Sequence, residues 1–228
     1  MQSLEFDKLP LIEATCNLVY AEPRELSLDM LCELRQALRP MSLEPHQFTS
    51  SLAGSPVPFA FMVGVTPGST FGSESGLTLT AGTGALSASW RRGSETAKYV
   101  RYATLREALT KAAGVINPAV GIVNMAYVNL AGVAGALPRD LLDAALWPPI
   151  AFDAVKDYNV AWDLPSGIEF RLQVTPQEAN FLITTAAGIR IADNWGDELE
   201  RIHAALQETF DRIITDRAKE VWQWRRTS

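Results

Sequence analysis

Histidine is the side chain that changes charge near neutral pH without help from its surroundings, and this 228-residue chain has two, His46 and His203. His203 lies one position off an apolar stripe in the C-terminal region. With Tyr127, Asn129 and an acidic residue it would form a dispersed acid–base site, provided the fold drew them together. A general base needs a partner to orient it and a substrate proton within reach, and the sequence supplies neither. His203 is therefore expected at the edge of the core, against backbone or core side chains. His46 follows Pro45 and reads as a loop residue. Two histidines cannot make a His-rich metal site, and neither Cys16 nor Cys32 has the close second cysteine that zinc spacing requires. No catalytic, cofactor-binding or metal-binding residue is assigned on this basis.

Other short patterns invite chemical readings and resist them. Gly82-Thr83-Gly84 would cradle a phosphate only if the turn led from a strand into a helix, and a strand pattern follows it; an ordinary hairpin turn is expected. Asp153, Asp157 and Asp163 fall on or beside one strand, while Asp193 and Asp197 flank the last helix; these spacings match no compact cation loop. Ser166-Gly167 lacks the Gly-x-Ser-x-Gly frame of a nucleophile elbow. The least ordinary segment is Trp222-Gln223-Trp224-Arg225-Arg226. Tryptophan and arginine concentrate at interaction hot spots, so Trp222, Trp224, Arg225 and Arg226 form the candidate interaction patch. The alternative is that Trp224 continues the core stripe while the arginines face water.

The elements that must position these residues can be read from periodicity. Leu199, Ile202, Leu206, Phe210, Ile213, Val221 and Trp224 recur at three- and four-residue steps, interrupted at Arg217, which predicts one amphipathic helix over Asp197–Arg226 with a capping box at Asp197 and Glu200. Leu11–Tyr20 reads as a strand. Ser27 opens a helix with Leu28, Leu31, Leu34 and Leu38 as its buried stripe, stopped by Pro40. A Pro- and Ser-rich connection then leads to a strand over Phe59–Val65. Leu77–Thr80 and Ala85–Trp90 form a hairpin with Leu86, Ala88 and Trp90 on one face. Thr104-Leu105-Arg106-Glu107 caps a helix ending near Gly114, Val120–Leu130 is a buried strand, and Asp140–Trp147 is a short helix before Pro148-Pro149. Phe152–Asp163 and Ile168–Thr175 flank a turn at Leu164-Pro165-Ser166-Gly167, and Phe181–Thr185 adds another strand.

Runs of adjacent strands favour antiparallel pairing, so the expected fold is α+β, a mostly antiparallel sheet covered by helices on one side. One compact unit over 1–228 is expected, with possible similar halves at 1–116 and 117–228, because Leu11–Tyr20 and Val120–Leu130 each begin a similar run of elements. Hydrophobic content of 47% is ample for a core. A net charge of -6 disfavours broad nucleic-acid affinity, which comes from lysine and arginine displacing counterions. Gly114–Leu137 is nearly uncharged, but its asparagines, proline and glycines fit a strand and loop better than a membrane span. Acidic residues at Glu5, Asp7 and Glu13 do not fit a secretory leader, and no disulfide framework is expected from two cysteines, so a cytoplasmic protein is expected.

With the elements placed, three segments carry a likeness. Leu9-Pro10-Leu11-Ile12-Glu13-Ala14, the central Val120-Gly121-Ile122-Val123-Asn124-Met125-Ala126-Tyr127-Val128-Asn129, and Ile202-His203 with Phe210, Ile214, Thr215 and Trp222 resemble a sporadically distributed bacterial family of uncharacterised proteins of similar length. Its members open on a Pro-hydrophobic-Glu strand, carry Gly-x-x-x-x-Tyr-x-Asn near the middle, and close on a helix with a Leu-His pair and Phe-x-x-x-Ile-Thr. Here Ile202 stands for the leucine, and Ala126 for the arginine usual before the tyrosine. The resemblance implies no reaction; it implies a gene neighbourhood of the defence or toxin kind. A non-enzymatic protein-interaction or regulatory component is therefore expected, with a protein partner or a homodimer. The rivals are an enzyme around His203 and Tyr127, and a small-ligand sensor with a pocket between sheet and helix.

Overall fold

The structure is a computed structural model, and it describes residues 4–6, 11–46, 69–93, 99–131, 138–143, 158–165, 167–177, 180–191, 194–222 and 224–226. In chain order the strands are β1 (Leu4–Phe6), β2 (Leu11–Tyr20), β3 (Glu44–His46), β4 (Ser69–Gly72), β5 (Leu77–Ala81), β6 (Ala85–Arg91), β7 (Val120–Ala131), β8 (Tyr158–Asp163), β9 (Glu169–Gln177), β10 (Asn180–Arg190) and β11 (Trp224–Arg226). The helices are α1 (Leu28–Leu38), α2 (Tyr102–Ile116), α3 (Pro138–Leu141), α4 (Trp195–Ile213) and α5 (Asp216–Val221).

Nine strands form one antiparallel sheet in the order β3-β4-β5-β6-β2-β7-β10-β9-β8, and β1 pairs separately with β11. The protein is thus α+β, as the runs of adjacent strands predict. The order is mirrored about the β2–β7 pair: β6, β5 and β4 lead outward from β2, and β10, β9 and β8 lead outward from β7. Apart from the small edge strand β3, residues 1–116 and 117–228 each run strand, helix, three strands, helix across this sheet.

Side-chain alternation decides which face holds the core. Register places Ala14 opposite Tyr127, Cys16 opposite Met125 and Leu18 opposite Val123 across β2 and β7. Leu86, Ala88 and Trp90 continue that buried face through β6, and Phe170, Leu172 and Val174 through β9. Helices α2 and α4 lie on this side, with α1 packed on α2. α2 buries Leu105, Leu109, Ala112 and Ile116, and α4 buries Leu199, Ile202, Leu206 and Phe210. Each large aliphatic side chain so enclosed stabilises by roughly 1.5–3 kcal/mol. Trp90, the largest fully buried side chain, also satisfies its indole, which donates to the Ser75 carbonyl at 2.9 Å. On the opposite face Ala126, Val128, Thr184 and Ala186 are buried as well, and there the Asn17 amide donates to Asn124 Oδ1 at 2.7 Å.

Turn chemistry matches the expected hairpins. Gly82 N donates to the Ala85 carbonyl between β5 and β6, so Gly82-Thr83-Gly84 closes a hairpin. Between β8 and β9, Gly167 N donates to the Leu164 carbonyl and Gly167 takes φ 75, a conformation that glycine adopts without steric cost. The strand expected over Phe59–Val65, residues 144–147 of the helix expected over Asp140–Trp147, and Asp153, Asp157, Ser166 and Asp193 lie outside the described residues, while the described start of that helix is corrected to α3, which ends at Leu141 before Leu142 bridges to Ile214.

Several expectations are corrected: His46, expected in a loop, is the last residue of β3, where it pairs with Thr70 of β4, and several element boundaries move. The C-terminal helix is not one rod over Asp197–Arg226: α4 stops at Ile213, Ile214 turns extended, and α5 begins after Thr215. The break follows from Thr215, whose hydroxyl accepts from Ala218 N at 3.2 Å as the cap of α5 and donates to the Asp140 carbonyl at 2.6 Å, while Ile214 bridges to Leu142. Val221 is consequently exposed, and Arg217, the irregularity in the stripe, sits in the new short helix. The cap of α4 is Asn194, which accepts from Gly196 N at 3.1 Å and donates to Asp197 at 2.6 Å.

At α1, Ser27 accepts from Met30 N as expected, yet Leu28 is 77% exposed because the stripe turns inward only at Leu34 and Leu38. For α2, Thr104 donates backward to the Val100 carbonyl at 2.6 Å instead of capping, and the helix begins at Tyr102. It also runs through Gly114 to Ile116, ending where Asn117 takes φ 48 just before Pro118.

Candidate functional site

The seam between the core face of the sheet and the helices gathers His203 with tyrosines from distant elements. β7 presents Tyr127 there, between Met125 and Asn129 on the same face. Its cross-strand neighbours are Ala14 on β2 and Thr185 on β10, both small enough to leave room for the phenol ring. α4 presents His203 toward the sheet from the middle of its apolar stripe. α2 brings Tyr102 at its first residue, with Tyr99 in the segment just before it.

His203 is 7% exposed and its Nδ1 lies 3.0 Å from the Tyr127 hydroxyl. Its imidazole stacks on the Tyr102 ring, with centroids 3.8 Å apart and planes 18° from parallel. Tyr127 meets the same imidazole edge-on at 61°. Trp90 supports Tyr99 in a T-shaped contact at 5.1 Å. Glu200, one turn before His203, faces Tyr102 rather than the imidazole, and Arg106 on α2 holds that carboxylate at 2.9 Å. The salt bridge and the ring stack therefore fasten α2 to α4 at one point.

Burial controls the protonation of this group. Loss of water disfavours the imidazolium and lowers His203 to about 4. Burial likewise raises the phenols of Tyr99, Tyr102 and Tyr127, each pushed further by charge that would form on neighbours, and it raises the Cys16 thiol beside them. At neutral pH all of these groups are uncharged. Neutral His203 carries one N–H and one bare ring nitrogen, and its tautomer sets which of Nδ1 and the Tyr127 hydroxyl is the donor. The Tyr99 and Tyr102 hydroxyls are buried without a hydrogen bond of standard geometry among the described residues, although each lies against a polar neighbour, Tyr127 and Glu200 respectively. An acid–base pair for work at pH 7 would need pKa values drawn toward 7, and here both partners are driven away from it. Cys16, held as a buried thiol, is not a nucleophile in this state.

The structure thus joins His203 to Tyr127, as the dispersed-site reading requires, but buries His203 among core side chains, as the packing reading requires, with Tyr127 half-buried beside it. Asn129 shares the face and is buried. Tyr99, Tyr102 and Glu200 were not singled out from the sequence; Glu200 entered only as a cap residue, and nothing in the spacing of Tyr99 and Tyr102 points across the fold to His203. The candidate interaction patch divides. Trp222 is 4% exposed and stacks parallel to Phe210, with centroids 6.2 Å apart, so it belongs to the core. It takes the place expected for Trp224, because the break at Thr215 shifts the helical register. Trp224, Arg225 and Arg226 form β11, whose backbone pairs with Phe6, Glu5 and Leu4.

A separate shallow depression of ≈ 580 Å³ lies at the α4–α5 junction, lined by Asp143, Asp211, Arg212, Ile214, Thr215, Asp216 and Lys219. Lys219 pairs with Asp211 at 3.3 Å within it, and His203 is not part of it. Among the described residues, no three His, Cys, Asp or Glu side chains are grouped as metal ligands would be. Among them also, no helix is long and apolar enough to cross a membrane. Compared with known proteins, the chain matches no family model and no curated protein.

Proposed function

We propose that this protein is a non-enzymatic interaction or regulatory component that works through protein contacts, in a bacterial conflict system of the kind its sequence resemblance implies. The observation that carries the reading is the enclosure of His203. The imidazole that sequence reasoning ranks first for catalysis is 7% exposed, uncharged at neutral pH and committed to Tyr127 and Tyr102, which is what a packing contact between sheet and helices needs. An acidic chain with a net charge of -6 directs the choice of partner toward protein rather than nucleic acid. Co-expression with the proteins encoded beside it tests this: a stoichiometric complex on gel filtration is expected, along with no DNA retention in a gel shift at physiological salt. Turnover of an ester, phosphate or glycoside substrate that disappears in His203→Gln would overturn the reading.

The rival is an enzyme or small-ligand sensor built on His203, Tyr127 and Asn129, and the 3.0 Å contact between the first two favours it. It requires the helices to part from the sheet and admit a ligand. Ligand-induced protection of this seam in hydrogen exchange would support it.

A further inference from the structure

We propose that β8 is a self-docking strand: two copies of the chain pair their β8 edges antiparallel about a two-fold axis, extending each nine-stranded sheet into the other. The inference rests on the reading that the protein works through protein contacts, and it names one such surface. The two ends of the sheet differ in how they are protected. At one end β3 is three residues long with Pro45 at its centre, which removes a backbone donor and blocks further pairing. At the other end β8 has six residues, Tyr-Asn-Val-Ala-Trp-Asp, with no proline, no lysine or arginine, and one charge at its last position. Its inner side is engaged with β9 in unbroken register from Tyr158↔Val174 to Asp163↔Glu169. Among the described residues no strand lies on its outer side.

The side chains of β8 are self-complementary in one register. Asn159, Ala161 and Asp163 are exposed on one face, while Val160 and Trp162 face the core side, where Trp162 packs on Phe170 at 4.7 Å. Setting Ala161 opposite the partner's Ala161 brings Asn159 against the partner's Asp163 and Val160 against the partner's Trp162. By symmetry each of these pairs occurs twice. The amide donates to the carboxylate on one face, apolar groups meet on the other, and no like charges are opposed. Centring on Val160 or on Trp162 instead separates Asn159 from Asp163, so the pairing selects its own register. A second copy is the occupant favoured because the strand supplies both halves of the polar pair. One short strand buries less than a standard interface, so the dimer is expected to dissociate on dilution.

Sedimentation of the full chain across micromolar concentrations should show a monomer–dimer equilibrium. Ala161→Lys places two ammonium groups at the axis and should weaken the dimer at least about tenfold, while Asn159→Lys, facing the partner's Asp163, should tighten it at low salt. Unchanged circular dichroism and melting would show that both variants fold. With exposed Cys32 replaced by serine, Ala161→Cys should yield an oxidised dimer, since facing residues on paired strands lie within disulfide reach. A chain that is monomeric at every concentration and gives no Ala161→Cys cross-link overturns the proposal, as does a dimer indifferent to both lysine substitutions. If a stoichiometric complex with another protein forms under those same outcomes, the self-docking strand is wrong and the interaction reading survives. A dimer that forms as described alongside His203-dependent turnover would have the opposite meaning.

Discussion

Protonation of His203 should be one of the chief acid liabilities of this fold. The unfolded chain binds a proton on this imidazole near its ordinary value of 6.5, whereas the folded chain refuses it until about 4. Between those values the unfolded state holds more protons, so stability falls as pH falls through the window and is unaffected by this group above it. A difference of that size corresponds to about 2 kcal/mol lost at pH 5 and about 3 kcal/mol at pH 4, at 1.36 kcal/mol per pKa unit. The neighbouring Tyr99, Tyr102 and Tyr127 hydroxyls and the Cys16 thiol do not offset this, because they remain neutral throughout. Glu13 acts in the opposite sense, because burial raises its pKa and the folded state keeps its proton longer. Subtracting a non-titrating variant removes that contribution. His203→Gln keeps a partner for the Tyr127 hydroxyl but cannot titrate, so urea unfolding of wild type and variant at pH 7, 5 and 4 should show curves that converge as pH falls. Parallel pH profiles, or a His203 ring signal titrating near 6.5 in NMR, would refute the enclosure argument.

Phe210→Ala removes a buried ring that stacks on Trp222 and should cost about 3–5 kcal/mol in chemical unfolding; no loss would mean that this face of α4 is not core. Thr215→Ala deletes the cap of α5 and the bond to the Asp140 carbonyl, with an expected cost of about 1–2 kcal/mol that Thr215→Ser largely restores. Gly76→Ala should lower the melting temperature, because Gly76 has φ 83 and an added Cβ would overlap the Arg91 carbonyl; a neutral outcome would contradict the tight β4–β5 turn geometry.

What the sequence made legible was governed by short-range rules. Leu11–Tyr20 could be read as a strand because it is an apolar run with β-branched residues, and the hairpin of β5 and β6 because Ala81-Gly82-Thr83-Gly84 separates two strand-like runs. The α4 stripe was legible through Ile213 from its three- and four-residue steps. Its end was not, since Thr215 breaks the helix by bonding to Asp140, 75 positions earlier, and local propensity does not register such a partner. Leu28 fits the period of α1 yet is exposed, because periodicity identifies a stripe without saying how far the neighbouring element reaches along it. The gathering of Tyr127 with His203 spans 76 positions, and the stacking of Tyr102 depends on where α2 starts relative to α4. Sequence named the histidine and one tyrosine as candidates, while their enclosure, which decides their chemistry, arises only from packing.

The mirrored strand order has a consequence for how the chain is made. The hairpins of β5 with β6 and of β9 with β10 join close neighbours and can form as soon as each leaves the ribosome. β2 emerges early but has β7 as one of its two central partners, and the Asn17–Asn124 bond at that seam bridges 107 positions. Until β7 is synthesised, β2 presents an open apolar edge, and the long loop closure needed to cover it slows the final step. Nascent chains stalled before Val120 should therefore depend on chaperones, whereas chains stalled after Ala131 should be shielded at the middle of the sheet.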